Sequence, residues 1–151
     1  MTAVGPNRRA PPRTLGRVSD DALGRGGLGP PPQAARPAGP APQINTEDLK
    51  IITLARSSRA RVAASEGAAV RDETGRTYTA AAVALPSLRL SALRLAVAMA
   101  VSSGAQKLEA AALVSDAELD PGDLAVVREL GPDATVFHAA PDGTLRAVRT
   151  V

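Results

Sequence analysis

From Asn45 onward the chain alternates between helical and strand-like spacings of apolar residues. Asn45 or Thr46 can cap a helix, Glu47 and Asp48 fall in its first turn where the positive end of the dipole favours acids, and Leu49, Ile51, Ile52, Leu54 and Ala55 supply an apolar face running to about Ala60. Gly67 to Arg71 and Arg76 to Val83 read as two strands, joined by Asp72-Glu73-Thr74-Gly75 with glycine where positive φ is expected. Pro86 and Ser87 then open a second helix with Leu88, Ala92, Leu95, Ala96 and Met99 at helical spacing, closed by Gly104. From Leu90 to Val101 it is apolar nearly all round, which predicts a buried central helix. Ala110 to Ser115 predicts a short strand buried on both faces. Asp120-Pro121 caps and starts a third helix that ends at Gly131-Pro132, and Thr135 to Ala139 and Thr144 to Val148 are the last two strands, turned by Pro141-Asp142-Gly143. The predicted order is αββαβαββ.

Residues 1–44 have no such period. They hold nine of the 13 prolines and seven of the 13 glycines, and too little bulky apolar surface to offset the entropy of ordering, so they read as a disordered Pro/Gly/Arg-rich tail ahead of a domain at 45–151. A transit peptide, a polyanion-binding arm and a proline-rich ligand all fit poorly: there is no secretory hydrophobic segment, the arginines are dispersed, and prolines interrupt any amphipathic helix. Gly24-Arg25-Gly26-Gly27-Leu28-Gly29 has no preceding strand and reads as linker, not as a phosphate loop. Sixteen arginines against two lysines, with 31 alanines, point to a GC-rich bacterial genome, where start codons are easily placed too far upstream. That leaves open whether the whole tail is translated, and a dispensable tail is the preferred reading.

Composition changes the picture in two ways. The formal charge of +3 divides unevenly: the tail sets six arginines against Asp20 and Asp21, while the remainder carries 12 basic and 13 acidic side chains. The folded part is not basic, so a nucleic-acid partner is not expected. The absence of cysteine and the single histidine, His138, exclude a disulfide framework, a thiolate nucleophile and a histidine-based metal site. No stretch reaches the roughly 20 apolar residues of a transmembrane helix, so no membrane role is expected and the expected compartment is the cytoplasm.

The element order and several local matches resemble the cytidine deaminase family. Gly67-Ala68-Ala69-Val70 is similar to its first strand, and Gly75-Arg76-Thr77-Tyr78-Thr79 to its hairpin and second strand. Ser91-Ala92-Leu93-Arg94-Leu95-Ala96 falls where the family has Cys-Ala-Glu-Arg-Ala-Ala. Ala112-Leu113-Val114-Ser115-Asp116 is similar to the third strand, Arg128-Glu129-Leu130-Gly131-Pro132-Asp133 to the end of the third helix, and Pro141-Asp142-Gly143 to the final hairpin. The resemblance spans essentially all of 46–151. It implies a three-layer α/β/α sandwich around a five-stranded mixed sheet.

The resemblance also implies a chemistry whose residues are missing. Hydrolytic deamination uses a Zn²⁺ to make hydroxide near neutral pH and a carboxylate to shuttle protons, with one ligand at the start of the second helix and two from Cys-x-x-Cys at the start of the third. Ser91 stands at the first ligand position and Leu93 at the catalytic glutamate. Asp120-Pro121-Gly122-Asp123-Leu124-Ala125 replaces the Cys-x-x-Cys segment and is two residues shorter, so the last ligand position is Asp123 or Ala125. The sugar-contacting Asn and Glu of the family correspond to Ala82 and Ala84, and the aromatic stretch before the first strand is reduced to Arg61-Val62-Ala63-Ala64-Ser65. Zinc is the cofactor the family implies, and this chain is expected to bind none. The expectation is thus a degenerate member of the family, without zinc ligands or catalytic glutamate.

Arg94 is the one polar residue of that motif retained. In the resembled family it offsets thiolate charge; here an ion pair to Asp123 or Asp120 would replace the metal as a bridge, and the alternative is a side chain that reaches solvent. Ser91 reads as a helix cap, since a nucleophile would need His138, which reads as a strand residue on a partly exposed face. Candidate binding residues are therefore Arg94, Ser91 and Asp123. The function expected is a catalytically inactive, homo-oligomeric interaction or assembly module whose protein partner is unknown, packing through the second and third helices as the resembled family does. Two alternatives remain: a non-catalytic nucleotide or anion site between the two helix starts, and an active cytidine deaminase.

Overall fold

The computed structural model describes residues 43–151; the tail reading falls almost wholly outside the described residues. Asn45 caps α1 (Thr46–Arg61), its side chain accepting from the Asp48 amide at 2.8 Å. The chain then forms β1 (Glu66–Asp72) and β2 (Thr77–Ala81), turned at Gly75 with a φ of 84°. A short hairpin, β3 (Val83–Leu85) and β4 (Leu88–Leu90), leads into α2 (Ala92–Ser102). Then follow β5 (Leu108–Ser115), α3 (Pro121–Leu130), β6 (Thr135–Ala139) and β7 (Leu145–Thr150).

Five strands form one mixed sheet in the order β2-β1-β5-β6-β7, with β5 and β6 parallel and the other neighbours antiparallel. Alternation along β5 divides the core. Ala110, Ala112 and Val114 face Ile51, Ile52 and Ala55 of α1, whereas Leu108, Ala111 and Leu113 face Leu93, Ala96 and Val97 of α2 and Val127 of α3. This is the expected three-layer sandwich, with β5 buried on both faces.

The second helix does not open at Pro86-Ser87. Those residues turn the β3–β4 hairpin, which pairs Leu85 with Leu88, and Ser91 caps the helix four residues later. Proline suits the second position of a β-turn as well as the first turn of a helix, so the same signal served either element. The order is thus αββαβαββ with a separate two-stranded hairpin ahead of α2. Leu49 is exposed: Asp48, Ile51, Ile52, Ala55 and Ser58 face inward on α1. Likewise α2 is not buried all round, for Met99 and Val101 are exposed at its two flanks. His138 is not partly exposed but 2% accessible, with Nε2 3.3 Å from the hydroxyl of buried Ser115. That hydroxyl donates to the Ala117 carbonyl at 2.9 Å, so the imidazole is the donor to Ser115 and not its base.

Buried Asp72 organises the β1–β2 turn. Its carboxylate accepts from the Thr74 amide and hydroxyl, the Arg76 amide and the Tyr78 hydroxyl, at 2.7 to 3.0 Å. Burial pushes the Asp72 pKa up, but these four donors outweigh it and hold the group below its ordinary value. The same hydroxyl contact, with desolvation, raises Tyr78. Because the folded pKa of Asp72 is depressed, its contribution to stability is present above the unfolded value of about 4 and lost as pH falls through the folded value. Acid unfolding should therefore begin below about pH 4 in the native protein, and Asp72→Asn should flatten the pH dependence of Tm in that window while lowering Tm at pH 7. Melts followed by circular dichroism from pH 7 to pH 2 check this.

Candidate functional site

The start of α2 and the start of α3 lie side by side, and most of the polar groups there are engaged. The Ser91 hydroxyl accepts from the Arg94 amide at 3.2 Å, which leaves it a capping group. The next free amide, of Ala92, donates to Glu66 Oε2 at 3.2 Å. Glu66 belongs to β1, and sequence reasoning missed it; the only signal was an acidic residue ahead of the first strand, 26 positions away. Leu93, at the position of the family's proton shuttle, is wholly buried in the core between α2 and the sheet.

On α3, Asp120 caps the helix through the Gly122 amide at 2.6 Å and the Asp123 amide at 3.3 Å. Asp123 points inward, its side chain 4% accessible, and its Oδ1 receives Arg94 Nε at 2.7 Å. Arg94 Nη2 lies 3.8 Å from Asp120 Oδ1, so one guanidinium bridges both carboxylates. The expected ion pair between the helix starts is formed, although Arg94 stays 46% accessible and also reaches solvent. Ala125, the other candidate for the last ligand position, is exposed. Gly122 permits the approach, since a Cβ there would run into Arg94 Nη2 and Asp120 Oδ1.

The sugar-contact positions diverge. Ala82 packs against the core cluster of α2 and α3, while Ala84 is exposed on the β3–β4 hairpin. Along the outer side of α2 and α3 runs an open, mostly apolar groove of about 540 Å³, lined by Val97, Val101, Val126 and Leu130 with Arg94 and Glu129 at its edges.

This donor set does not fit a zinc ion. Among the described residues no three His, Cys, Asp or Glu side chains gather as a metal-holding group. A cation beside Asp123 would have to displace a guanidinium already in hydrogen-bond contact, and the Ser91 hydroxyl is a poor ligand at neutral pH.

A family model described as cytidine deaminase-like matches residues 44–143, and the chain belongs to that family. Among solved structures it is similar to cytidine deaminase from Burkholderia pseudomallei, with a TM-score of 0.60 at 23% identity over 67% of this chain and 90% of the other. It is also similar to the enzymes from Mycobacterium leprae, at 0.53 and 19% over 67% and 90%, and Mycobacterium tuberculosis, at 0.51 and 24% over 64% and 86%. At these identities the likeness is one of fold. Comparison with curated protein sequences gives no match.

Truncating the buried partner tests the bridge. Asp123→Ala leaves Arg94 able to rehydrate, so the loss should fall between that of an exposed and a buried pair, about 1–2 kcal/mol. Thermal melts should then show Tm lower by roughly 5–10 °C. An unchanged Tm in the Asp120→Ala, Asp123→Ala double variant would remove the bridge from the account of stability.

Proposed function

We propose that this chain is a cytidine-deaminase-like domain that binds no zinc, does not deaminate cytidine, and serves in the cytoplasm as a homo-oligomeric interaction or assembly module. One observation carries the loss of catalysis: the Arg94 guanidinium joins Asp123 and Asp120 across the two helix starts, where the family's metal chemistry is built. With Leu93 in the core and Ser91 engaged as a cap, the proton shuttle and the first ligand are replaced by groups that hold the fold. Assembly is supported by the exposed apolar side of α2, where Val97 and Val101 line the groove shared with α3.

The anion-binding reading has no observation in its favour. Of the helix-start donors it would use, the Ala92, Arg94, Gly122 and Asp123 amides are taken by Glu66, Ser91 and Asp120 of the chain itself. Cytidine deamination by the family's route remains the direct competitor and is decided by assay.

The purified full chain should contain less than about 0.1 equivalents of zinc and turn over no cytidine with zinc added, as measured by atomic emission and by the fall in cytidine absorbance. Stoichiometric zinc, or turnover scaling with added zinc, would overturn the inactive reading. Size-exclusion chromatography with light scattering should give a mass of two chains or a multiple; a monomer at high concentration would overturn the assembly reading.

A further inference from the structure

The two edges of the main sheet are finished differently. On one side β7 carries Arg146 and Arg149, and its ladder with β6 shifts register at His138 and Ala139, features that discourage a further strand. On the other side β2 has no charged residue, and the chain stays uncharged from Thr77 to Leu88. Its pairing with β1 runs without a bulge from Gly67–Ala81 to Arg71–Thr77. The Ala82 amide donates to the Glu66 carbonyl and the Asp72 amide to the Arg76 carbonyl, which fixes the parity of this ladder. Arg76, Tyr78, Ala80 and Ala82 bond inward to β1, while Thr77, Thr79 and Ala81 turn their amides and carbonyls outward. Among the described residues these outward groups have no backbone partner.

The helix above this edge is open on the same side. α2 lies over β1 and β2 alike. Val97 and Val101 turn toward α3, so Leu95 and Met99, four residues apart, form the opposite flank, toward β2. Met99 is 38% accessible there, and the one charged residue of α2, Arg94, points to α3. A single added strand would satisfy the edge and leave this flank in water. A second copy of the chain satisfies both. With β2 antiparallel to its own image, the twofold axis stands half a strand spacing outside β2 and α2 lies half a spacing inside it. The two α2 helices then come to about 10 Å from each other, an ordinary helix-packing distance. Leu95 and Met99 of each copy face those of the other. No like charges meet, because Arg76 falls opposite Ala82 of the second copy.

We propose that β2 pairs antiparallel with β2 of a second copy, with Thr79 on the twofold axis, joining the two sheets into one and packing Leu95 and Met99 between the paired α2 helices. Thr79 exchanges both backbone bonds with Thr79 of the second copy, and Thr77 does so with its Ala81. This register uses every outward group of the strand; a slip of two residues loses a pair. The inference rests on the assembly reading above and gives it a contact that the α2–α3 groove does not share. Because the contact is isologous, each substitution acts at both places.

The chain has no cysteine, so single introduced cysteines report the register. Across the axis the Cα atoms of residue 79 lie about 5.5 Å apart, within disulfide range, whereas those of residue 77 lie about 14 Å apart. In the full chain under copper–phenanthroline oxidation, Thr79→Cys should form a covalent dimer on non-reducing gels at least about ten-fold faster than Thr77→Cys, a similarly half-buried site on the same strand. Thr79→Pro removes an outward amide and leaves the β1 bonds alone, so by sedimentation equilibrium it should weaken self-association about ten-fold or more. Circular dichroism confirms folding; if the proline variant misfolds, the two cysteine variants alone decide. Equal linking at 77 and 79, or association that a folded Thr79→Pro variant leaves unchanged, would overturn the edge pairing while leaving assembly standing. A native chain that stays monomeric would overturn both.

Discussion

Small side chains set how closely the helices of this domain can approach its sheet. Ala92, Ala96 and Ala100 on α2 share one buried cluster with Ala68 of β1, Ala80 of β2 and Ala111 of β5, so the helix backbone lies near the strands with little between them. On the other face, Ala55 meets Ala69, Ala110 and Ala112. Each alanine removes little apolar surface from water, so cohesion depends on close contact more than on bulk. The register that results fixes where α2 begins, and the turn after β5 fixes where α3 begins. Arg94 then meets Asp123 with no distortion of either helix.

That meeting is self-sufficient. Glu66 and Ser91 take the Ala92 and Arg94 amides, Asp120 takes those of Gly122 and Asp123, and Asp123 and Asp120 take the guanidinium. A buried carboxylate is tolerable only when it is paired and hydrogen-bonded, and Asp123 has Arg94 within 2.7 Å. The carboxylates and the guanidinium at this junction are engaged with one another, while the groove along α2 and α3 and the β3–β4 hairpin ahead of them stay exposed.

Much of this was legible in the sequence, for identifiable reasons. Period-two and helical spacing, with Asn45, Asp120 and the glycine turns, placed α1, α3, the end of α2 and all five strands of the main sheet to within a few residues. The Arg94–Asp123 pair was foreseeable because a cation near a buried helix start needs a counter-charge and few carboxylates were in reach. The hairpin was not legible, since Pro86-Ser87 starts a helix or turns a chain with equal ease and three-residue strands carry no period. Glu66 escaped because a contact across 26 residues leaves no local mark. His138 was misjudged because polar character argued for exposure, whereas Ser115 and the Ala117 carbonyl provide for it inside. Leu49 looked inward by hydrophobicity alone; the face that turns in is set by Ile51, Ile52 and Ala55, opposite the alanines of β5, with Leu54 half-buried beside it.

The bridge between α2 and α3 has a further consequence for the conditions under which the domain survives. A junction made of guanidinium and carboxylate has no sulfur for peroxide to attack. Oxidation, which would open the same junction in a thiolate version, finds no target here, and what loosens this one is high salt, which screens the half-exposed Arg94. The contact between α2 and α3 can therefore keep its shape through episodes of oxidation that a thiolate junction would not survive.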